Sequence, residues 1–160
     1  MATRSDRDKP HRLHVTLVPM EARHIPEIMA IETGSFADPW ERVSFERELG
    51  NPYSHPVVAL DADGRVAGYV IYWATGPEYH ILNIAVRPDV RRMGVGVRLM
   101  NKVITEAGRQ NADFIVLEVR PSNVPARSLY LKYGFVTVGF RSRYYKDGES
   151  AEVMLLRLRH

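Results

Sequence analysis

The sequence has 160 residues, of which 45% are hydrophobic and 26% charged, and its formal net charge is +3. This composition excludes an intrinsically disordered chain, and no apolar run reaches the roughly 20 residues that a membrane-spanning helix needs. The absence of cysteine excludes disulfides, thiolate metal sites and a cysteine nucleophile, and it favours a cytoplasmic location.

The domain organisation follows from the distribution of polar and apolar residues. Residues 1–12 are polar and predict a solvated N-terminal tail, whereas residues 13–160 predict a single domain. The mild excess of positive charge suits an anionic ligand or partner. Basic residues do not form a stripe with interleaved aromatics, so no direct nucleic-acid binding is predicted.

The first half of the chain predicts a strand, two helices and a hairpin. Alternating apolar and polar residues predict a strand over 13–18. Helical spacing predicts a helix over 20–33, with a proline near its first turn, and a second helix over 41–49. The hairpin has strands at 56–61 and 65–73, which are joined by an Asp-Gly turn.

The second half alternates strands and helices. Helix 94–109 carries Val95, Leu99, Val103 and Ala107 at a spacing of four, which predicts one buried face. The whole pattern predicts an α/β fold (an α+β mixed sheet) of about seven strands with four helices. The remaining predicted elements are strand 79–87, strand 113–119, helix 123–133, and a final strand pair at 135–145 and 151–158 that turns at Asp147-Gly148.

A glycine-containing loop, RPDVRRMGVGV at 87–97, joins a buried strand to helix 94–109. Gly94 and Gly96 lie where the helix begins, so backbone N–H groups would be free at the positive end of its dipole, and Arg91 and Arg92 add charge. One interpretation is a pyrophosphate site; the other is a pair of helix-start glycines beside a solvated basic loop. The loop has neither the G-K-[ST] of a nucleotide P-loop nor a complete G-x-G-x-x-G, so a pyrophosphate ligand here suggests coenzyme A.

Glu118 is a carboxylate at the end of the otherwise apolar run FIVLEV at 114–119. Burial of a bare carboxylate is costly, so this group is paired, exposed or used in chemistry. Pairing with Arg120 or with a loop N–H is the structural interpretation. A general base at a strand end is the functional one.

Several stretches together resemble a known family. R-R-M-G-V-G is similar to the [QR]-x-x-G-x-[GA] loop of the GNAT superfamily of acetyl-CoA-dependent N-acetyltransferases, and the order of elements matches that fold over 13–158. The resemblance is closer to the RimI family, which acetylates the N-terminal alanine of small-subunit ribosomal protein 18. The stretches that carry it are FADPW at 36–40, HILNIAVRPDVRRMGVG at 80–96, LEVRPSNVPARSLYLKYGF at 117–135 and RYYKDGESAEVM at 143–154.

The resemblance implies two catalytic residues and a set of cofactor contacts. Glu118 would be the general base and Tyr130 the acid that protonates the departing thiolate, although a helical tyrosine by itself also suits a core position. Acetyl-CoA would be the co-substrate, and the strand before the glycine loop would pair with its pantetheine arm. The implied cofactor-binding residues are Ile84, Ala85, Val86, Arg92, Met93, Gly94, Val95, Gly96, Val97 and Asn123.

The acceptor site is expected between two walls. Phe36 and Trp40 belong to FADPW, and Tyr144 and Tyr145 lie toward the last hairpin with Arg141 and Arg143; Trp40 equally suits helix packing. The histidines, including His24 and His80, show no ligand spacing and are expected on the surface or on strand faces, so no metal is predicted. The family usually has G-E-D-A where this chain has G-E-S-A, so Ser150 removes an acidic group near the acceptor.

Three functions remain open from the sequence. The first is acetyl transfer to the N-terminal α-amine of a protein, with a ribosomal protein as partner and a monomer or weak oligomer as the enzyme. The second is transfer to other protein N-termini, a lysine or a small amine. The third is a non-catalytic acetyl-CoA-binding module, which the presence of both Glu118 and Tyr130 disfavours.

Overall fold

A computed structural model describes residues 12–158, so residues 1–11 of the predicted tail lie outside the described residues. The described part contains seven strands and four α-helices, as predicted. The helices are α1 (Ile25–Ser35), α2 (Arg42–Leu49), α3 (Val95–Arg109) and α4 (Val124–Tyr133). The strands are β1 (Thr16–Pro19), β2 (Ser54–Leu60), β3 (Val66–Ala74), β4 (Glu78–Val86), β5 (Phe114–Val119), β6 (Val136–Arg141) and β7 (Ala151–Arg157).

All seven strands form one sheet in the order β1-β2-β3-β4-β5-β7-β6. Neighbouring strands are antiparallel except β4 and β5, which are parallel and are joined through α3. None of the helices within residues 12–158 combines the length and apolar character required to cross a membrane.

Helices cover both faces of the sheet. On one face, α1 and α2 pack through Ile25, Ile28, Ile31 and Phe45 against sheet residues that include Tyr69. On the other face, α3 buries the four residues that the sequence pattern predicted, and α4 adds Tyr130. Apolar burial on both faces explains why the central strand β3 is buried along most of its length.

Two N-terminal elements begin later than predicted. The strand predicted over 13–18 is observed as β1, which begins only at Thr16. It begins late because Leu13 donates its N–H to the Met93 carbonyl at 2.9 Å, so the chain runs beside the glycine loop before it joins the sheet. The helix predicted from residue 20 begins at Ile25, after a short 3₁₀ turn in which Glu21 donates its N–H to His24 Nδ1 at 2.9 Å. His24 is therefore a buried capping residue, and its expected surface position is wrong.

The strand predicted over 135–145 ends at Arg141. Arg143 has a left-handed backbone with φ of 50°, which a strand does not accommodate. Residues 142–150 instead form a loop that closes on a turn at Gly148, whose N–H donates to the Tyr145 carbonyl at 2.9 Å. Tyr144 and Tyr145 consequently lie on a loop between β6 and β7.

The sheet opens between its two parallel strands. β4 and β5 pair from Glu78 with Phe114 to Ile81 with Leu117 and no further. A register shift between β3 and β4 leaves Leu82 unmatched at this point, which is the geometry of a β-bulge and bends the strand. The strands therefore diverge, and the divergence leaves a slot through the sheet beyond Ile81.

Candidate active site

A cavity of about 750 Å³ lies at this slot, between the end of β4 and the first turns of α3 and α4. Its walls contain nine of the ten predicted cofactor residues: Ile84, Ala85, Val86, Arg92, Gly94, Val95, Gly96, Val97 and Asn123. Met93 is the exception, since its side chain packs against the core. The structure thus brings together strand, glycine loop and helix start as the sequence predicted.

The start of α3 is suited to an anion. Gly94 caps the helix with a left-handed φ of 86°, which glycine adopts without the steric cost of a Cβ. The first helical hydrogen bond runs from Arg98 N–H to the Gly94 carbonyl at 3.1 Å. The N–H groups of the three residues between them have no intrahelical acceptor and lie at the positive end of the dipole.

The two arginines of the loop differ in their contacts. Arg91 is held by the Val86 carbonyl and the Ser35 hydroxyl, each at 3.1 Å. Arg92 lines the cavity and makes no hydrogen bond or ion pair with a residue of the described chain. Arg92 is therefore the more available cation for a phosphate group.

A second, smaller cavity of about 160 Å³ adjoins the first and contains both predicted catalytic residues in its wall. Glu118 and Tyr130 line it, and Phe36, Ile84, Asn123, Ala126 and Tyr130 line both cavities. Glu118 belongs to β5, whereas Tyr130 belongs to α4, which packs on the same face of the sheet as α3. The slot between β4 and β5 lets both side chains line the same cavity.

Glu118 is nearly enclosed, with its side chain 7% exposed. Its Oε2 lies 2.6 Å from Nε2 of His80, and its Oε1 lies 3.5 Å from a guanidinium nitrogen of Arg141. Arg120, the partner weighed from the sequence, turns instead to Asp147 and Glu149 at 2.8 and 3.0 Å. His80 was missed as a site residue, because its neighbourhood with Glu118 depends on the pairing of β4 with β5.

Tyr130 is buried, and its hydroxyl has no hydrogen-bond partner among residues 12–158. Burial, with a smaller contribution from Tyr145, raises its pKa to about 12. The phenol therefore remains protonated through the neutral range. A buried donor that faces a cavity and lacks an internal acceptor is suited to give its proton to a bound group.

Asn123 caps the start of α4. Its side-chain oxygen accepts the N–H of Ala126 at 3.4 Å, and Pro125 occupies the first turn, where a missing N–H costs little. The cap positions the small side chain of Ala126 in the wall of both cavities, one turn before Tyr130.

Three of the four predicted acceptor residues form two walls of the smaller cavity. Phe36 and Trp40 line it from the loop between α1 and α2, and Tyr145 lines it from the loop between β6 and β7. Trp40 also packs on Phe45, with ring centroids 5.2 Å apart, so both interpretations of Trp40 apply. Tyr144 is 48% exposed and contacts the ring of Tyr145 edge-on, with centroids 5.0 Å apart, but it does not line the cavity.

Charged contacts hold the loop of residues 142–150 over the site. Arg120 lies 3.9 Å above the ring of Tyr145, and its partner Glu149 accepts the Ser122 hydroxyl at 2.8 Å. Lys146 reaches Asp38 of the opposite wall at 3.3 Å. These contacts position Tyr145 over the start of α4 and leave the cavity between the two walls.

A second carboxylate, Glu32 of α1, lines the smaller cavity and is 1% exposed. The Tyr69 hydroxyl donates to Oε2 at 2.7 Å, and the Asn83 amide donates to Oε1 and Oε2 at 2.7 and 3.0 Å. Asn83 follows the bulged Leu82 in β4. The network therefore ties α1 to the part of β4 where the sheet opens.

Glu32 predicts a pH dependence of stability. Burial raises its pKa above the ordinary 4.5, against the lowering effect of hydrogen bonds from Asn83 and Tyr69. Its contribution to stability is then fully present below pH 4.5 and is lost as pH rises through the folded-state pKa. Urea unfolding across this range should show the wild type losing stability relative to Glu32→Gln as pH increases.

The control for this measurement is Glu46→Gln, on the exposed face of α2. Its curve should run parallel to that of the wild type from pH 4.5 upward. Parallel curves for Glu32→Gln as well would show that the ionisation of Glu32 is not coupled to folding.

Comparison with known proteins identifies the relatives of this chain. Residues 25–135 match the model of the acetyltransferase (GNAT) family. A Bacillus subtilis (strain 168) protein that is provisionally named a [ribosomal protein bS18]-alanine N-acetyltransferase is 39% identical over 137 residues, which are 84% of this chain and 90% of that protein. The Escherichia coli (strain K12) [ribosomal protein bS18]-alanine N-acetyltransferase is 33% identical over 88% of this chain and 96% of its own length.

A solved structure agrees with these relatives. The crystal structure of the ribosomal-protein-S18-alanine N-acetyltransferase from Escherichia coli superposes with a TM-score of 0.83 at 30% identity, over 92% of this chain and 96% of that one. The predicted fold and the resemblance to the GNAT and RimI families are confirmed. The roles of the individual site residues stay predictions.

Proposed function

This chain belongs to the GNAT family and is an N-acetyltransferase, and we propose that it transfers the acetyl group of acetyl-CoA to the N-terminal α-amine of a protein, the alanine of ribosomal protein bS18. The observation that carries the proposal is that Glu118 and Tyr130 line one small cavity that adjoins a larger one at a helix start. A pure binding module has no need of both groups.

The larger cavity fits acetyl-CoA in its chemistry. The free N–H groups of Val95, Gly96 and Val97, with Arg92, would hold the pyrophosphate. The end of β4 at Ile84, Ala85 and Val86 pairs with β3 but not with β5, and its free edge would take the pantetheine arm as an added strand. Acetyl-CoA supplies the acetyl group as a thioester, whose carbonyl carbon is the atom that the amine attacks.

The protein's own residues would move two protons. As the neutral amine nitrogen forms its bond to the acetyl carbon, Glu118 takes a proton from that nitrogen, directly or through one water. As the carbon–sulfur bond breaks, Tyr130 gives its phenolic proton to the sulfur. The two transfers leave an amide and a free thiol, and solvent restores both side chains.

The relatives support the choice of acceptor. Two of them carry the name of an alanine N-acetyltransferase for bS18, and the chain spans at least 90% of each. An α-amine has a pKa of about 8 against about 10.4 for lysine, so it is the easier amine to deprotonate near neutrality. A ribosomal protein as acceptor also agrees with the cytoplasmic location that the sequence favours.

The proposal is tested by thiol release. The protein is incubated with acetyl-CoA and a peptide that carries the N-terminal sequence of bS18, and free CoA is measured with the peptide mass. We expect one acetyl group per peptide and an equal amount of thiol. The control is the same peptide with its α-amine already acetylated, and equal release with this peptide would contradict the proposal.

A further inference from the structure

The closest side-chain partner of Glu118 is a histidine from the neighbouring strand. His80 of β4 pairs with Val116 of β5 in the parallel ladder, and its Nε2 lies 2.6 Å from Glu118 Oε2. His80 does not line either of the two cavities at the slot. It therefore contacts the carboxylate outside the smaller cavity, which is where an acceptor amine would bind.

The short distance fixes where a proton lies. A carboxylate oxygen and an unprotonated ring nitrogen at this separation would repel, so one proton lies between them. When Glu118 is ionised, Nε2–H of His80 donates to Oε2, in a charge-assisted hydrogen bond. Oε1 has Arg141 at 3.5 Å as an ion-pair partner but accepts no hydrogen bond from the described residues, so it keeps a lone pair for a proton.

This arrangement gives the two carboxylate oxygens different tasks. We propose that His80 is a positioning residue for the acetyl transfer, which holds Oε2 of Glu118 so that Oε1 faces the acceptor amine. The inference rests on the proposed function, because it takes Glu118 as the base. The proton from the amine then goes to Oε1, while Oε2 becomes the carbonyl oxygen of the acid and still accepts from Nε2–H.

The surroundings of His80 do not require a histidine for packing. Its side chain is 22% exposed, and its ring contact is an edge contact with Trp73 at 6.3 Å between centroids. Trp73 is held independently, by donation of its Nε1–H to Glu48 at 2.8 Å. A residue of similar volume is therefore expected to preserve the fold, and the hydrogen bond to Glu118 is the distinctive property of His80.

The test compares two substitutions of similar size. His80→Gln keeps an N–H donor, whereas His80→Leu removes it. We expect His80→Leu to lower kcat about 10- to 100-fold, the scale of a misplaced catalytic group, with KM for acetyl-CoA unchanged; the thermal midpoint should fall modestly, because Glu118 loses its hydrogen-bond donor. His80→Gln should retain kcat within a few-fold of the wild type, and His55→Leu, at an exposed histidine of β2, should have no effect.

A double-mutant cycle decides whether His80 acts through Glu118. In a Glu118→Gln background, His80→Leu should cause no further loss, because the group it positions is already absent. Equal loss in both backgrounds, or equal loss for His80→Gln and His80→Leu, would overturn the proposal. If Glu118→Gln by itself left kcat unchanged, the assignment of the base in the proposed function would fail, and this result is distinguishable from failure at His80.

Discussion

Glu118→Gln is expected to lower kcat by about 100-fold or more at neutral pH, the usual contribution of a positioned general base. The substitution keeps the size of the side chain and removes its ability to accept a proton. Binding of acetyl-CoA should be retained, because Glu118 lines the smaller cavity and not the larger one. Initial rates with saturating peptide and calorimetric binding of acetyl-CoA measure the two quantities.

The loss should be partly recovered at high pH. As pH rises through about 8 the nucleophilic, neutral form of the α-amine becomes the main species, and at higher pH hydroxide from solvent can take the proton that Glu118 would otherwise accept. The matched control is Glu46→Gln, whose side chain is exposed and pairs with Arg42 on α2. Unchanged turnover for Glu118→Gln at neutral pH would remove its assigned role.

Tyr130→Phe should separate activity from stability more sharply than the other substitutions. We expect kcat to fall by about 100-fold, since the thiolate loses its proton donor, while KM for the peptide changes little. The hydroxyl has no hydrogen-bond partner within residues 12–158, so its removal should change the free energy of unfolding by less than about 1 kcal/mol. The pKa of about 12 keeps the wild-type phenol in its acid form while the α-amine is neutral.

Steady-state kinetics and urea unfolding of the same preparation measure both effects. Tyr53→Phe is the control, at a tyrosine that is 59% exposed and lines neither cavity. If Tyr130→Phe lost stability and kept kcat, Tyr130 would be a packing residue and another proton donor would be required.

Local patterns in the sequence were sufficient for much of the fold. The buried face of α3 follows from its four-residue spacing. The helix start at Gly94 was predictable because the residue there has a left-handed φ of 86°, a conformation that favours glycine. The end of β6 could not be predicted, because the run from 135 to 145 has strand character throughout. The observed end depends on Arg143, whose loop is held by contacts with Arg120 and Asp38.

The candidate site was also predictable in part, because local sequence motifs identify some of its residues. The resemblance of LEVR and SN-x-x-A-x-x-LY to the RimI family pointed to Glu118 and Tyr130, and the structure places both in one cavity wall. The contact of Glu118 with His80 joins residues 38 apart in sequence and needs the register of two parallel strands. Sequence spacing does not encode that register, so His80 showed no signal.

The identity of the acceptor amine can be determined by a competition experiment. The protein is incubated with acetyl-CoA and an equimolar mixture of three peptides that differ only in their available amine: an N-terminal alanine, another N-terminal residue, and a blocked N-terminus with an internal lysine. Mass spectrometry with fragmentation locates the acetyl group on each peptide over time. Our account predicts that the N-terminal alanine is acetylated first and on its α-nitrogen; equal or faster acetylation of the lysine peptide would contradict it.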